Sequence, residues 1–342
     1  MSRARARSGL ALGLALGVWT SPSNEAHADP SPWLCARDTR LADELRATNE
    51  AERALVDARV RERSSSDALV PSELSAARAL DALRGVGGAQ ARTRRARWLT
   101  ARALQELGRP TEAIEALEGL ATAPRVATTL RSDALGDLAI AYARADRVEE
   151  EIAAYEAAIA LEPHAVSRAT MLANQAEAFM VAGDVARAVL GYRASLGELT
   201  SRELPSVGPT THWSLGVALD RTGDLDGALA EIARARSYDP LDLHLRSPGW
   251  FFVPPYDEHW YEALGHWLVG RRADELERRR DAYERAERAW VAYLASAPPE
   301  GAYVAIARGR LAALRSERTR LEDEATGRST RQPLRMPRNP AP

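Results

Sequence analysis

Four stretches of this chain repeat one pattern of small and large residues, and a repeat of that period is built by stacked helical hairpins. The clearest copy runs from Pro209 to Pro240: Trp213, Leu215-Gly216, Leu219, a Gly223-Asp224 turn, then Ala228, Ile232, Ala235 and Pro240. Each such unit is too small to bury its own apolar face, so neighbours must stack. The result expected is an open solenoid rather than a closed catalytic globule.

The copies align on their turns, at Gly108, Asp146, Gly183 and Gly223. Seven residues before each turn stands a small residue: Ala101, Ala139, Ala176 and Gly216. Four before stands a large one: Leu104, Tyr142, Phe179 and Leu219. Five after come Ala113, Glu151, Ala188 and Ala228; nine after, Leu117, Tyr155, Tyr192 and Ile232; twelve after, Leu120, Ala158, Ser195 and Ala235. Steps of three, four and seven share one face of an α-helix. A small residue opposite a large one lets two antiparallel helices approach to about 8–10 Å. Glycine or aspartate suits the turn between them, and Pro163 and Pro240 stop the returning helix.

On these residues the chain resembles the tetratricopeptide repeat (TPR) family, over roughly Arg94 to Pro240. The resemblance implies an all-α, right-handed α-solenoid of antiparallel hairpins, about five to six of them, closed by a C-terminal capping helix. Three departures stand out. Successive turns lie 38, 37 and 40 residues apart, more than the family's period of about 34. Glu151 replaces a small residue, and Trp98 and Trp213 lie one position beyond the family's usual tryptophan.

The resemblance also implies a concave groove lined by the first helix of each hairpin. It places Trp98, Arg102 and Gln105 there, then Ile140 and Arg144, then Glu177 and Met180, then Trp213, Val217 and Arg221. Packing of Trp98 and Trp213 between helices is the competing reading. The cationic clamp that some family members use for a terminal carboxylate is absent; only Asn174 has the right character.

Outside the repeats, the N-terminus reads as a secretory signal. Arg3, Arg5 and Arg7 precede an apolar run from Gly9 to Trp19, and Ala26-His27-Ala28 fits a small-x-small cleavage site. The expected location is the periplasm or cell envelope. Cys35 is the single cysteine, so no intramolecular disulfide forms. An intermolecular one stays open beside the reading of an incidental thiol. All 46 basic residues are arginine, yet the net charge is −2, which gives no support to nucleic-acid binding.

The organisation expected is a signal at 1–28, N-terminal helices or a degenerate hairpin at 29–93, and the four repeats at 94–240. An aromatic and proline-rich insert follows at 241–257, then a long hairpin and capping helix at 258–325, then a disordered basic tail at 326–342. Charged helices from Thr39 to Arg63 and Ser72 to Leu83 fill the N-terminal part. No later segment is apolar enough to be a transmembrane helix.

The segment after Pro240 is the densest anomaly. It holds Trp250, Phe251, Phe252, Tyr256, Trp260, Tyr261 and Trp267. They read either as a partner-binding patch or as a seal over the final hairpin. His259, Glu262 and His266 share one helical stripe and would line the groove. The two histidines lie about 10.5 Å apart along the axis, too far for one ion to bridge, so no metal and no cofactor is expected. No nucleophile elbow, phosphate loop or dinucleotide fingerprint occurs. The function expected is a non-enzymatic scaffold that binds a peptide or protein partner in the groove. The alternative is a small-ligand or glycan receptor built on the aromatic cluster at 250–267.

Overall fold

The computed structural model describes residues 39–64, 72–85, 93–246, 252 and 254–327. The segment read from sequence as a signal, Cys35, Trp250, Phe251 and the C-terminal arginines lie outside those residues. Among the described residues every regular element is helical, apart from short turns, and there is no strand. No helix among them is long and apolar enough to cross a membrane.

The chain divides into two compact units, one ending at Pro255 and one beginning at Tyr256. The first is a series of five hairpins. They are α1 (Thr39–Ser64) with α2 (Ser72–Arg84), α3 (Arg94–Glu106) with α4 (Pro110–Ala121), and α5 (Thr128–Arg144) with α6 (Val148–Leu161). Then follow α7 (Ala165–Val181) with α8 (Val185–Glu198), and α9 (Leu204–Arg221) with α10 (Leu225–Tyr238). Each helix packs on its hairpin partner, and each second helix packs on the first helix of the next hairpin. First helices also touch one another directly: α1 meets α3, α3 meets α5, and α7 meets α9. This is solenoid stacking, with the first helices sharing one face.

The four turns have one construction. Gly108, Gly183 and Gly223 have φ of 67°, 81° and 101°, and Asp146 adopts the same left-handed backbone at 58°. The following amide reaches back to the large residue four before the turn: Arg109 N to Leu104 O at 2.9 Å, Arg147 N to Tyr142 O at 3.0 Å, Asp184 N to Phe179 O at 2.8 Å, and Asp224 N to Leu219 O at 3.0 Å. Such closures satisfy carbonyls that a helix end leaves without partners. In two turns the aspartate after the glycine starts the next helix. Its carboxylate accepts from Arg187 N at 3.0 Å for Asp184, and from Gly227 N at 2.8 Å for Asp224.

Between turns, the residues at the repeat offsets form the core. Ala101, Ala139, Ala176, Leu117, Tyr155, Tyr192, Ile232, Leu120, Ala158, Ser195 and Ala235 are all buried. Gly216 fits the same rule, since a Cβ there would lie 2.9 Å from Ile232 Cγ1 and 3.0 Å from the Ala228 carbonyl oxygen. The long inter-repeat loops are tied down by arginine: Arg94 donates to the carbonyls of Pro124 and Arg125, each at 2.6 Å. The first helix of the clearest copy reaches back beyond Pro209 to Leu204. Pro205 stands in its first turn, where no amide donor is required. Thr200 closes on the Glu203 carboxylate just ahead of it.

The second unit holds α11 (Glu258–Arg272), α12 (Leu276–Ser296) and α13 (Val304–Ala325). α11 and α12 form a hairpin and α13 packs on α12. The hairpin is tight: a Cβ on Gly270 would lie 3.1 Å from the Tyr283 ring.

Candidate binding face

The first helices α3, α5 and α7 bring together a group of charged and polar side chains. Trp98 is buried, and its indole Nε1 donates to Asp137 Oδ2 at 2.7 Å. The Arg102 guanidinium lies 5.1 Å from the centre of that indole and 3.7 Å from the same Asp137 oxygen. Gln105 donates to the Asp137 carbonyl, and Arg144 donates to the Gln105 carbonyl. Two successive repeats are thereby joined by polar bonds as well as by apolar packing.

Several carboxyl groups stand at or beside this face. Burial raises Glu106 above its ordinary range, against the opposing pull of Arg144 and Arg102. Burial raises Asp137 as well, opposed by Arg102 and by the Trp98 hydrogen bond. Crowding by protein pushes Asp133 up to about 7, helped by Asp137 and Glu162. Its side chain is nevertheless open to solvent, and water softens that rise. Behind the face, on second helix α6, Glu151 is only 7% exposed; burial first, and the Glu177 carboxylate second, push it up to about 8. Glu177 accepts from Tyr192 Oη at 3.0 Å.

The groove residues expected from sequence divide by burial. Arg102, Ile140, Arg144 and Glu177 are half-buried on α3, α5 and α7 and stand on the polar face. Trp98, Gln105, Met180, Trp213, Val217 and Arg221 are buried. For the two tryptophans the packing alternative describes the structure: Trp213 is stacked by the Arg236 guanidinium, 5.2 Å from its ring centre. Asp133, Asp137 and Glu106 join the set without having been singled out. For the two aspartates the signal was positional, because Asp137 and Asp133 continue the stripe of Ile140 and Arg144 one and two turns towards the N-terminus.

The aromatic segment resolves differently. Trp260 and Trp267 are fully buried within the second unit. Trp260 meets Trp290 and Tyr293 edge-to-face, each at 4.9 Å between centres, and Tyr256 meets Tyr293 at 5.5 Å. Trp260 is therefore a core residue and not part of an exposed patch. Phe252 is half-buried. His259 approaches Glu262 at 3.3 Å, and Glu262 is exposed while His266 is half-buried. No group of three His, Cys, Asp or Glu residues that could hold a metal ion occurs among the described residues.

No family model matches the chain, and no curated protein matches it. Among solved structures, a crystal structure of MamA is 20% identical over 51% of this chain and 94% of its own length, with a TM-score of 0.42. A second, of MamA protein, is 19% identical over 56% of this chain and 93% of its own length, with a TM-score of 0.37.

What the face can do follows from its chemistry. It holds carboxyls, two arginines and amides, which suit recognition of polar and charged groups.

Proposed function

We propose that this chain is a TPR-like, non-enzymatic scaffold of the cell envelope that binds a peptide or protein partner along the shared face of its first helices. One observation carries the reading. α3 meets α5 directly, and α5 and α7 are both packed on α6, so the first helices of these repeats are held in a fixed, preformed order. A preformed surface binds with little cost of ordering. Carboxylates, guanidinium groups and the half-buried Ile140 provide both polar and apolar contacts there. Export rests on the arginine-led apolar segment and the Ala26-His27-Ala28 sequence.

The test is capture of envelope proteins on immobilised chain. A double variant of the shared face, Asp133→Arg with Ile140→Glu, is expected to lose the partner. Leu190→Glu is expected to keep it, since Leu190 is 64% exposed on second helix α8. Equal recovery on all three proteins would remove the face assignment. For export, cleavage after Ala28 of a reporter fused behind residues 1–40 is expected, and an uncleaved cytoplasmic reporter would count against it.

A further inference from the structure

Of the six large apolar side chains exposed among the described residues, three lie within one short stretch: Tyr238 at 38%, Leu241 at 66% and Leu243 at 59%. Tyr238 ends α10, and the leucines stand on the turn after it. That turn is held in one shape by its own polar groups. Asp242, between the two leucines, has a φ of 53°, left-handed backbone that a residue with a side chain adopts at a cost. Arg236 forks its carboxylate, with Nε 3.1 Å from each oxygen and Nη2 2.8 Å from Oδ2. Arg236 in turn lies over Trp213 of α9. The Asp242 amide donates to the Asp239 carbonyl at 3.1 Å, and the Arg246 amide to the Asp242 carbonyl at 3.2 Å. The buried Asp239 carboxylate accepts from the His244 amide at 2.8 Å and pairs with His244 Nδ1 at 2.8 Å. Against the pull of burial, hydrogen bonds from the amide and ring of His244 and from the Leu243 amide hold Asp239 below the ordinary carboxylate range.

Exposed leucines scattered singly need no explanation, but two on a strained and clamped turn do. Three properties decide what receives them. The first is size. Two leucines and a tyrosine cover far less than the roughly 800 Å² per partner that a stable protein interface buries, so they are too few to hold a second copy or a folded partner. A bilayer sets no such minimum, because a few apolar side chains at the boundary of headgroups and acyl chains give weak, reversible attachment. The second is the backbone. Amides that enter an apolar phase must be bonded internally, and those of Asp242, Leu243, His244 and Arg246 are. The third is charge. Asp239 and Asp242 are both paired within the turn, which limits their repulsion of anionic headgroups. The exposed Arg246 follows, and a guanidinium suits lipid phosphate.

We propose that the turn from Pro240 to Arg246 docks the chain on a lipid bilayer, with Leu241 and Leu243 entering the edge of the acyl region and Arg246 meeting the phosphates. Attachment is to one leaflet, since no helix among the described residues is long and apolar enough to cross. The residues are not those of the α3, α5 and α7 face, so the two readings stand or fall separately.

The experiment is co-sedimentation with vesicles of phosphatidylcholine alone, or of phosphatidylcholine mixed with phosphatidylglycerol. The chain used begins at Asp29, which keeps every described residue and leaves out the apolar run from Gly9 to Trp19. Reversible binding to both vesicles is expected, tighter on the anionic ones and weakened there by salt. Leu241→Asp with Leu243→Asp should keep its helicity, since both side chains are exposed, and bind both vesicles at least about tenfold more weakly. Arg246→Gln should lose about fivefold on the anionic vesicles and nothing on the neutral ones. Leu190→Asp, 64% exposed on α8, should bind like the wild type. Wild type that stays in the supernatant with both vesicles overturns the proposal, as does a loss in Leu190→Asp equal to that of the double variant. If vesicles are ignored and sedimentation velocity shows a dimer that the double variant abolishes, the leucines serve a second copy and the lipid assignment falls. The double variant should still capture the envelope partner of the shared face; loss of that capture would put the leucines at the partner interface and overturn the lipid assignment.

Discussion

The Trp98 indole donates to Asp137 across 2.7 Å, and an arginine four residues after the tryptophan, Arg102, leans on the same carboxylate. The second unit repeats the arrangement: Trp267 Nε1 donates to Glu317 at 2.8 Å, and Arg271, four residues on, pairs with Glu317. In each case a first-helix tryptophan is pinned, ring over guanidinium, to an acid on a later helix. Trp98→Phe keeps the apolar volume and removes the donor. A hydrogen bond to a charged group contributes about 1.5–3 kcal/mol, and a loss of that size in urea unfolding is expected. A loss below about 0.5 kcal/mol would show that the ring alone matters.

These two tryptophans show what was legible in the sequence and what was not. The turn positions and the residues seven before and five, nine and twelve after them are all where the spacing placed them. Helix periodicity and left-handed turn residues are local properties, and four copies reinforce one another. Whether Trp98 or Trp213 faces solvent depends on the partner across the face. The partner is Asp137 for one and Arg236 for the other, and nothing in the spacing specifies either. Trp260 is the same lesson: its burial is decided by Trp290 and Tyr293, roughly thirty residues away on α12. Glu151 was visible as a break in the pattern, but its lack of a partner needed the neighbouring helices.

The Gly216 to Ile232 contact sets a steric limit. A methyl group on Gly216 gains helix propensity of about 1 kcal/mol but meets Ile232 Cγ1 at 2.9 Å and a backbone oxygen at 3.0 Å. Overpacking costs about 1–3 kcal/mol, and the carbonyl cannot swing away as a side chain can. Gly216→Ala is expected to be net destabilising by about 1 kcal/mol, and Gly216→Ala with Ile232→Ala less than the sum of the singles. Strict additivity in thermal unfolding would refute the contact.

The turn at Asp146 differs from its three counterparts by carrying a side chain at positive φ. Asp146→Gly is expected to stabilise by up to about 1 kcal/mol, because glycine adopts this region without the Cβ conflict. Gly183→Ala and Gly223→Ala should lose about 1–2 kcal/mol each. Melting temperatures that move the same way in all three variants would contradict the shared turn geometry.

Glu151 links stability to pH in a direction opposite to that of most carboxylates. Its folded-state value of about 8 lies above the ordinary 4.5, so the folded chain holds the proton more tightly than the unfolded one. Its contribution is complete below about pH 4.5 and is lost as pH climbs through 8, a change on the order of a few kcal/mol at most. Glu151→Gln is expected to match the wild type near pH 5 and to exceed it in stability at pH 9. Denaturant midpoints that stay parallel across this range would show that Glu151 is ionised in the folded protein.

Glu317 runs the other way. Burial would raise its value, but hydrogen bonds from Arg271, Trp267 and Tyr283, with the Arg271 charge, hold it below the ordinary range. Its ionised form is therefore favoured by folding, and its contribution is present above the unfolded value near 4.5 and lost as pH falls through the lower folded one. It ties α13 to the α11–α12 hairpin, with Tyr283 Oη at 3.2 Å from the same carboxylate. Glu317→Gln should weaken the second unit at pH 7 by about 1–3 kcal/mol, through loss of charge-assisted bonds, and have less effect as pH falls and the wild-type carboxylate takes up its proton. Amide hydrogen exchange on α13 reads this directly: faster exchange at neutral pH, and convergence with the wild type in acid. Exchange raised equally at both pH values would mean that the substitution disrupts packing, and that the carboxylate charge is not what holds the last helix in place.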